Sequence, residues 1–365
     1  HHMKVFYSEA HRAHNPPFEI FEGGVKTPVF ECPERMDRVL AALRKTGWAE
    51  IAPPEEFGLE PIRAVHADDY LQYLENAFAD WKREGGQSGG PEFDSPVVLP
   101  ATFPPRRWNT KRPSSLAGRS GYYAIDLNAP IIADTYRAAL MSANCALSGA
   151  KAIASGEKAA FALCRPPGHH AGRDNCGGYC YLNNAAIAAK WLAQTCGVSA
   201  PSLHSGVFHK TPQVSILDVD YHGGNGTQDI FYESAEVLTI SIHADPSWEY
   251  PYFAGYADET GAGAGLGFHH NFPLPPHTDD DHYLQTLDEA IGLIQKFEPS
   301  HLVVSAGMDI YKGDPLGKFD VTADGIREIG RRIEAMGLPT LVVMEGGYNN
   351  EALGENIVGL LSAFV

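Results

Sequence analysis

From about position 133 onward, apolar residues recur along the chain at two alternating periods. Helical spacing marks 138–155, which stops at Gly156, and 184–196, which closes at Gly197. Short β-rich apolar runs fall at 159–164, 213–219, 237–242, 301–306 and 340–344. Thr278-Asp279-Asp280-Asp281 opens a further helix that reaches about 297, its acids suited to the positive end of the helix dipole, and 322–336 is helical again. Strands alternating with helices predict an α/β fold, a parallel sheet covered on both faces.

Sheets of this kind take their ligands beyond the carboxyl ends of their strands. Four of the runs end in polar or glycine-rich segments: Arg165-Pro166-Pro167-Gly168-His169-His170, the stretch from Asp218 to Gly226, Gly307-Met308-Asp309, and Glu345-Gly346-Gly347-Tyr348. In the second, Asp218, Asp220 and His222 alternate along an apolar strand, and residues two apart share a face. One acid before a glycine reads as an ordinary turn; three polar groups in this register predict a metal site. Asp309 is a candidate third ligand. Paired imidazoles at His169 and His170 suit a hydrolase, which needs a base for water and an acid for the leaving amine. Tyr348 brings a phenol on a close-approaching Gly-Gly backbone, a candidate oxyanion donor. Convergence across four strand ends predicts one composite active site.

Composition narrows the partners. The net charge of −17, from 28 Lys+Arg against 45 Asp+Glu, argues against non-specific nucleic-acid binding and favours encounter with a cation. No apolar run reaches membrane-spanning length, and no charged segment followed by an apolar stretch opens the chain, so the expectation is a soluble cytoplasmic protein without a membrane partner. His1 and His2 ahead of Met3 read as a tag remnant. Cys32, Cys145, Cys164, Cys176, Cys180 and Cys196 read as reduced, mostly buried thiols rather than a disulfide framework or zinc knuckle. A long irregular insertion is expected at 85–121, rich in proline and carrying Arg106, Arg107, Lys111 and Arg112. The stretch 197–213 reads as a surface loop, and the glycine-rich 261–267 as a flexible turn rather than a phosphate loop.

The four strand-end motifs, in this order and spacing, resemble the arginase–deacetylase fold and its histone-deacetylase-like family, bacterial acetylpolyamine amidohydrolases above all. Val5-Phe6-Tyr7-Ser8-Glu9, Leu163-Cys164, Gly177-Gly178-Tyr179-Cys180 and Val342-Val343-Met344-Glu345 extend the similarity over nearly the whole chain. The resemblance implies a three-layer fold with a mostly parallel eight-stranded sheet, and one catalytic domain over 3–365. It implies one catalytic zinc on Asp220, His222 and Asp309, with His170 as general base and acid, His169 as its electrostatic partner and Tyr348 as oxyanion donor. Asp218 would orient His169, and Asn225 would stand behind His170.

It further implies two potassium sites, one at Asp218, Asp220, His222, Ser241 and Ile242, the other at Phe231, Ser234, Val237 and His270. Gly178, Tyr179, Tyr250 and Leu316 would line a channel suited to a linear methylene chain, and the 85–121 insertion would narrow it and form a homodimer interface. Two departures stand out. His222 is followed by Gly223 where the family has a second histidine. Ala117 stands where the polyamine enzymes carry an acid for the distal ammonium, leaving Glu92 or Asp94 as substitutes. The expected substrate is an acetylated polyamine or diamine; acetyl-lysine in proteins, other small N-acyl amines, arginase-like dimanganese chemistry and a non-catalytic binding module are the alternatives.

Overall fold

The computed structural model describes residues 2–85, 95–105, 110–196 and 214–365. Apolar residues at almost every position, not every second one, make strands that bury both faces. In chain order the strands are β1 (Met3–Phe6), β2 (Glu19–Phe21), β3 (Val25–Thr27), β4 (Ala49–Ala52), β5 (Ala159–Ala162), β6 (Val214–Asp218), β7 (Val237–Ala244), β8 (His269–Leu274), β9 (His301–Ala306) and β10 (Thr340–Met344). Eight of them form one sheet in the order β4-β1-β5-β10-β9-β6-β7-β8, and every pairing in it is parallel. β2 and β3 form a separate antiparallel hairpin.

The helices are α1 (Glu34–Leu43), α2 (Glu60–Arg63), α3 (Asp68–Arg83), α4 (Leu116–Tyr122), α5 (Thr135–Ala154), α6 (Asn184–Cys196), α7 (Asn225–Phe231), α8 (Asp280–Phe297), α9 (Ala323–Glu334) and α10 (Leu353–Leu361). They divide between the faces of the sheet. Leu74, Leu147 and Ile187 from α3, α5 and α6 pack with Ile216 and Val303 on one side. Leu40, Leu287, Ile329 and Ile357 from α1, α8, α9 and α10 pack with Leu217 and Val304 on the other. Adjacent residues Ile216 and Leu217 thus serve opposite cores, as the two-residue period of a strand requires. The three-layer α/β expectation holds, with a sheet wholly rather than mostly parallel among the described residues.

The predicted α6, β9 and β10 match the observed bounds, and the remaining predicted elements differ by a few residues at their ends. The expected irregular insertion at 85–121 is corrected at its C-terminal end, where α4 begins. Ser115 caps that helix by accepting from the Gly118 amide at 3.3 Å, and Glu84 accepts from the Leu116 amide at 2.7 Å. Residues 86–94 and 106–109 of the insertion, which include Glu92, Asp94, Arg106 and Arg107, and the loop 197–213 lie outside the described residues. All six cysteines are free, four of them buried.

Chain direction across the sheet locates the site. From β6 the chain steps through β7 to β8 on one side, whereas from β9 it steps to β10 on the other. β6 and β9 are neighbours, so the reversal opens a crevice between their carboxyl ends.

Candidate active site

The four strand ends that carry polar motifs, β5, β10, β9 and β6, are consecutive in the sheet. Asp220 and His222 follow β6, and Asp309 follows β9. Each offers one ligand atom, and these atoms lie within 4.8 Å of one another. Both carboxylates are buried and held by backbone donors. Asp220 accepts from the His222 amide at 2.8 Å and the Gly346 amide at 2.9 Å; Asp309 accepts from the Tyr221 amide at 3.0 Å. His222 Nδ1 lies 3.1 Å from Asp309 Oδ2. Burial works against a charge on His222, but the hydrogen bonds and charges of Asp220 and Asp309 outweigh it and push the imidazole up to about 10. A cluster that so favours positive charge, with two carboxylate oxygens and one ring nitrogen, fits a zinc ion with open positions.

Glycine is required around this cluster. A Cβ at Gly307 would overlap Asp220 Oδ2, and one at Gly346 would stand 2.5 Å from Asp309 Oδ2. Gly307→Ala must therefore displace the Asp220 carboxylate, and a divalent-ion affinity lowered at least roughly tenfold is expected. A competition titration against a chromophoric chelator, with circular dichroism to confirm folding, measures this; unchanged affinity would contradict the geometry.

Beside the cluster stand two imidazoles with different partners. His169 Nδ1 lies 2.8 Å from Asp218 Oδ2, and His170 Nδ1 lies 2.6 Å from Asn225 Oδ1. Burial lowers both rings, but the charges of Asp218 and Asp220 reverse this for His169, which is held well above the usual histidine value. His170 faces a neutral amide, and burial together with the charges of His169 and His222 drives it well below. The pair sits at a ring separation of 4.0 Å, one ring favouring the cation and the other the free base. Glu345, buried at the end of β10, fixes the segment before them by accepting from the Gly168 and His169 amides at 2.8 and 3.1 Å.

A cavity of about 630 Å³ reaches this centre. His170, His222, Asn225 and Tyr348 line its inner part, and Gly178, Tyr179, Tyr250 and Leu316 contribute its walls. Ile20 to Gly24 of the β2–β3 region and Phe103 of the insertion reach the same cavity. The Tyr250 ring stands perpendicular to His170 at 4.9 Å, its hydroxyl donating to Asp126 at 2.6 Å. Tyr348 is fixed from two sides. Its amide donates to Asp314 at 2.7 Å, and the Arg35 guanidinium covers its ring at 4.9 Å while donating to the Gly347 and Glu345 carbonyls.

Every residue expected at the catalytic, metal and channel positions therefore reaches one site. Ser241 also lies near it, paired in register with Asp218, and Ile242 follows it on β7. Phe231, Ser234 and Val237 instead lie along the α7–β7 connection, with His270 on β8, and none of the four lines the cavity. Ala117 sits in the first turn of α4 and does not line it either. At Gly223, where a second family histidine is absent, the His243 ring occupies the adjoining space, 3.3 Å from where a Cβ would stand.

Glu345, Asp314, Asp126, Glu19 and Arg35 are the supporting residues that sequence reasoning misses. Only Glu345, directly before Gly346-Gly347, carried a local signal, since it sits within a strand-end motif.

The chain matches the histone deacetylase domain over residues 29–364. It is 45% identical over 363 residues to acetylpolyamine amidohydrolase 2 of Pseudomonas aeruginosa, spanning 99% of this chain and 98% of that protein. To the acetylpolyamine amidohydrolase of Mycoplana ramosa it is 41% identical over 359 residues, 98% of each chain. Its structure is similar to the crystal structure of acetylpolyamine aminohydrolase from Burkholderia pseudomallei, with a TM-score of 0.89 at 37% identity, over 99% of this chain and 98% of the other.

Proposed function

The chain belongs to the histone deacetylase family of metal-dependent hydrolases of linear amides and has the arginase–deacetylase fold, and from that premise we propose that it deacetylates acetylated polyamines or diamines, releasing free amine and acetate. One observation carries the reading: a metal-type triad and two adjoining histidines of opposite protonation preference stand at one cavity, which His222, His170 and the Tyr348 phenol line.

Zinc on Asp220, His222 and Asp309 would polarise the amide carbonyl and acidify a water molecule. His170, held as the free base, takes the proton of the attacking water and returns it to the departing amine nitrogen. His169, kept cationic by Asp218, places a fixed positive charge beside it. The Tyr348 hydroxyl donates to the oxygen that gains charge as the carbonyl carbon becomes tetrahedral. Tyr179 and Tyr250 flank the methylene chain.

The same reading includes one or two structural potassium ions, at Asp218, Asp220, His222, Ser241 and Ile242 and at Phe231, Ser234, Val237 and His270. It includes a small cationic amine substrate, which the net charge of −17 favours, and cytoplasmic residence; no helix among the described residues is long and apolar enough to cross a membrane. It includes one catalytic domain over 3–365 and a homodimer formed through the 85–121 insertion, whose Phe103 lines the same cavity as the exposed Phe253.

Ala117 favours one competing reading, deacylation of acetyl-lysine in proteins, because the acid for a distal ammonium is missing there. Turnover of N-acetylputrescine and N-acetylcadaverine against an acetyl-lysine peptide separates the two. The diamine amides are expected to give the higher kcat/KM, and a faster peptide would overturn the polyamine assignment.

A further inference from the structure

Tyr179 occupies a position that its own backbone does not favour. Its φ is 68°, in the left-handed region, and Gly178 before it has φ 50°. A bulky residue held there stores strain and stays only where surrounding contacts over-determine it. Two acids supply those contacts, and they act on different atoms. Asp126 holds the glycine by accepting from the Gly178 amide at 2.9 Å, which keeps the backbone against His170. Glu19 holds the ring by accepting from the Tyr179 hydroxyl at 3.0 Å.

Glu19 is an unusual choice for a purely structural anchor. It is buried at the start of β2, away from the solvent that a carboxylate ordinarily keeps. Burial pushes its carboxyl up to about 7; the Tyr179 hydroxyl and the Phe30 amide oppose this, and Glu31 and Asp126 add to it. A buried carboxyl opposes folding unless its contacts compensate. The β2–β3 hairpin that carries it meets two of the other walls as well. Asn128 donates to the Ile20 carbonyl at 3.2 Å, and Tyr252 donates to Glu22 at 3.1 Å. The hairpin is thereby tied to the segments around Asp126, Tyr179 and Tyr250, all of which line the cavity.

We propose that Glu19 is a positioning residue for substrate selection, fixing the Tyr179 ring so that the channel admits slender unbranched chains and rejects wider ones. This inference rests on the amide-hydrolase reading above and adds the residue that sets channel width. Glu19 touches neither substrate nor the reacting atoms; it acts through the phenol.

The test compares two amides of equal charge, N-acetylcadaverine and the mono-N-acetyl derivative of p-xylylenediamine, whose aromatic tail is wider. Glu19→Ala frees the ring, and KM for the slender amide is expected to rise about fivefold with little change in kcat, while its preference over the wide amide shrinks. Glu19→Gln keeps an acceptor for the Tyr179 hydroxyl and is expected to restore the parent KM. Tyr179→Phe should match Glu19→Ala, and adding Glu19→Gln to Tyr179→Phe should change nothing further, because the path between them is already cut. The last comparison also serves if Glu19→Ala does not fold. A kcat loss without a KM change, no rescue by Gln, or additive effects in the double variant would overturn the role. Absence of turnover of either amide by the parent enzyme would instead overturn the amide-hydrolase reading.

Discussion

His170→Ala is expected to lower kcat by about 10²- to 10⁴-fold while leaving the fold intact, the range for loss of a positioned general acid–base group. The ring lies at the inner end of the cavity beside His222 and Tyr348, so any amide whose carbonyl reaches the metal triad places its attacking water within reach of this imidazole. Asn225 accepts at Nδ1 at 2.6 Å, which orients the ring and leaves Nε2 free for the proton. Substituting His169 should cost less, because its Nδ1 is committed to Asp218 and its Nε2 stands 3.7 Å from Asp220 Oδ1. On the proposed mechanism its contribution is charge and not proton transfer. Single-turnover rates of the two variants decide between these roles, with thermal melts to exclude unfolding. Equal losses would mean that the two imidazoles share the proton, and a His170 variant within tenfold of the parent would remove it from the chemistry.

How much of this was legible in the sequence follows from where each signal resides. Asp218, Asp220 and His222 were readable from their alternation after an apolar run, but β6 ends at Asp218, so Asp220 and His222 take their directions from the bend beyond it and not from the strand. Asp309 needed only one further fact, that the strand before it is a neighbour of β6, and the parallel register of β6 and β9 supplies it. The strand order itself has no local signature, so convergence of four motifs was an inference from the α/β pattern rather than a reading of topology. Arg35 lay beyond reach altogether. It meets the Gly347 carbonyl across a separation of 312 residues, and within α1 it looks like one more surface arginine. Asp126, Asp314 and Glu19 are alike: their partners are backbone amides or a phenol in distant segments.

β8 escaped for a different reason. Its sequence His-His-Asn-Phe-Pro-Leu alternates poorly and contains Pro273, which is tolerated because the strand lies at the edge of the sheet. α4 was concealed by the glycines and prolines around it. Its first amide is accepted by Glu84, 32 residues away, and Gly121 is needed because a Cβ there would overlap the Thr102 carbonyl. Local composition marked a loop, and a tertiary contact made a helix of its end.

Asp309→Ala is expected to weaken zinc binding by more than about a hundredfold and to abolish measurable turnover, since on the proposed reading it removes one of three protein ligands rather than a group that supports one. The carboxylate has two separable jobs. Oδ1 accepts the Tyr221 amide at 3.0 Å, while Oδ2 faces His222 at 3.1 Å within the ligand cluster. Asp309→Asn keeps the volume and an oxygen for the Tyr221 amide, yet forfeits the negative charge, so it should fold like the parent and still bind zinc poorly. Zinc stoichiometry by elemental analysis, read beside activity, separates loss of metal from loss of structure. Dialysis of the parent against a chelator should remove activity, and zinc should return it, whereas neither step should rescue the Asn variant. Full turnover by chelated parent enzyme holding far less than one metal per chain would overturn the metal assignment. Two manganese ions per chain would point to arginase-like chemistry instead. Among the described residues only one cluster of at least three such donors is present, Asp220, His222 and Asp309, which argues for a single catalytic ion.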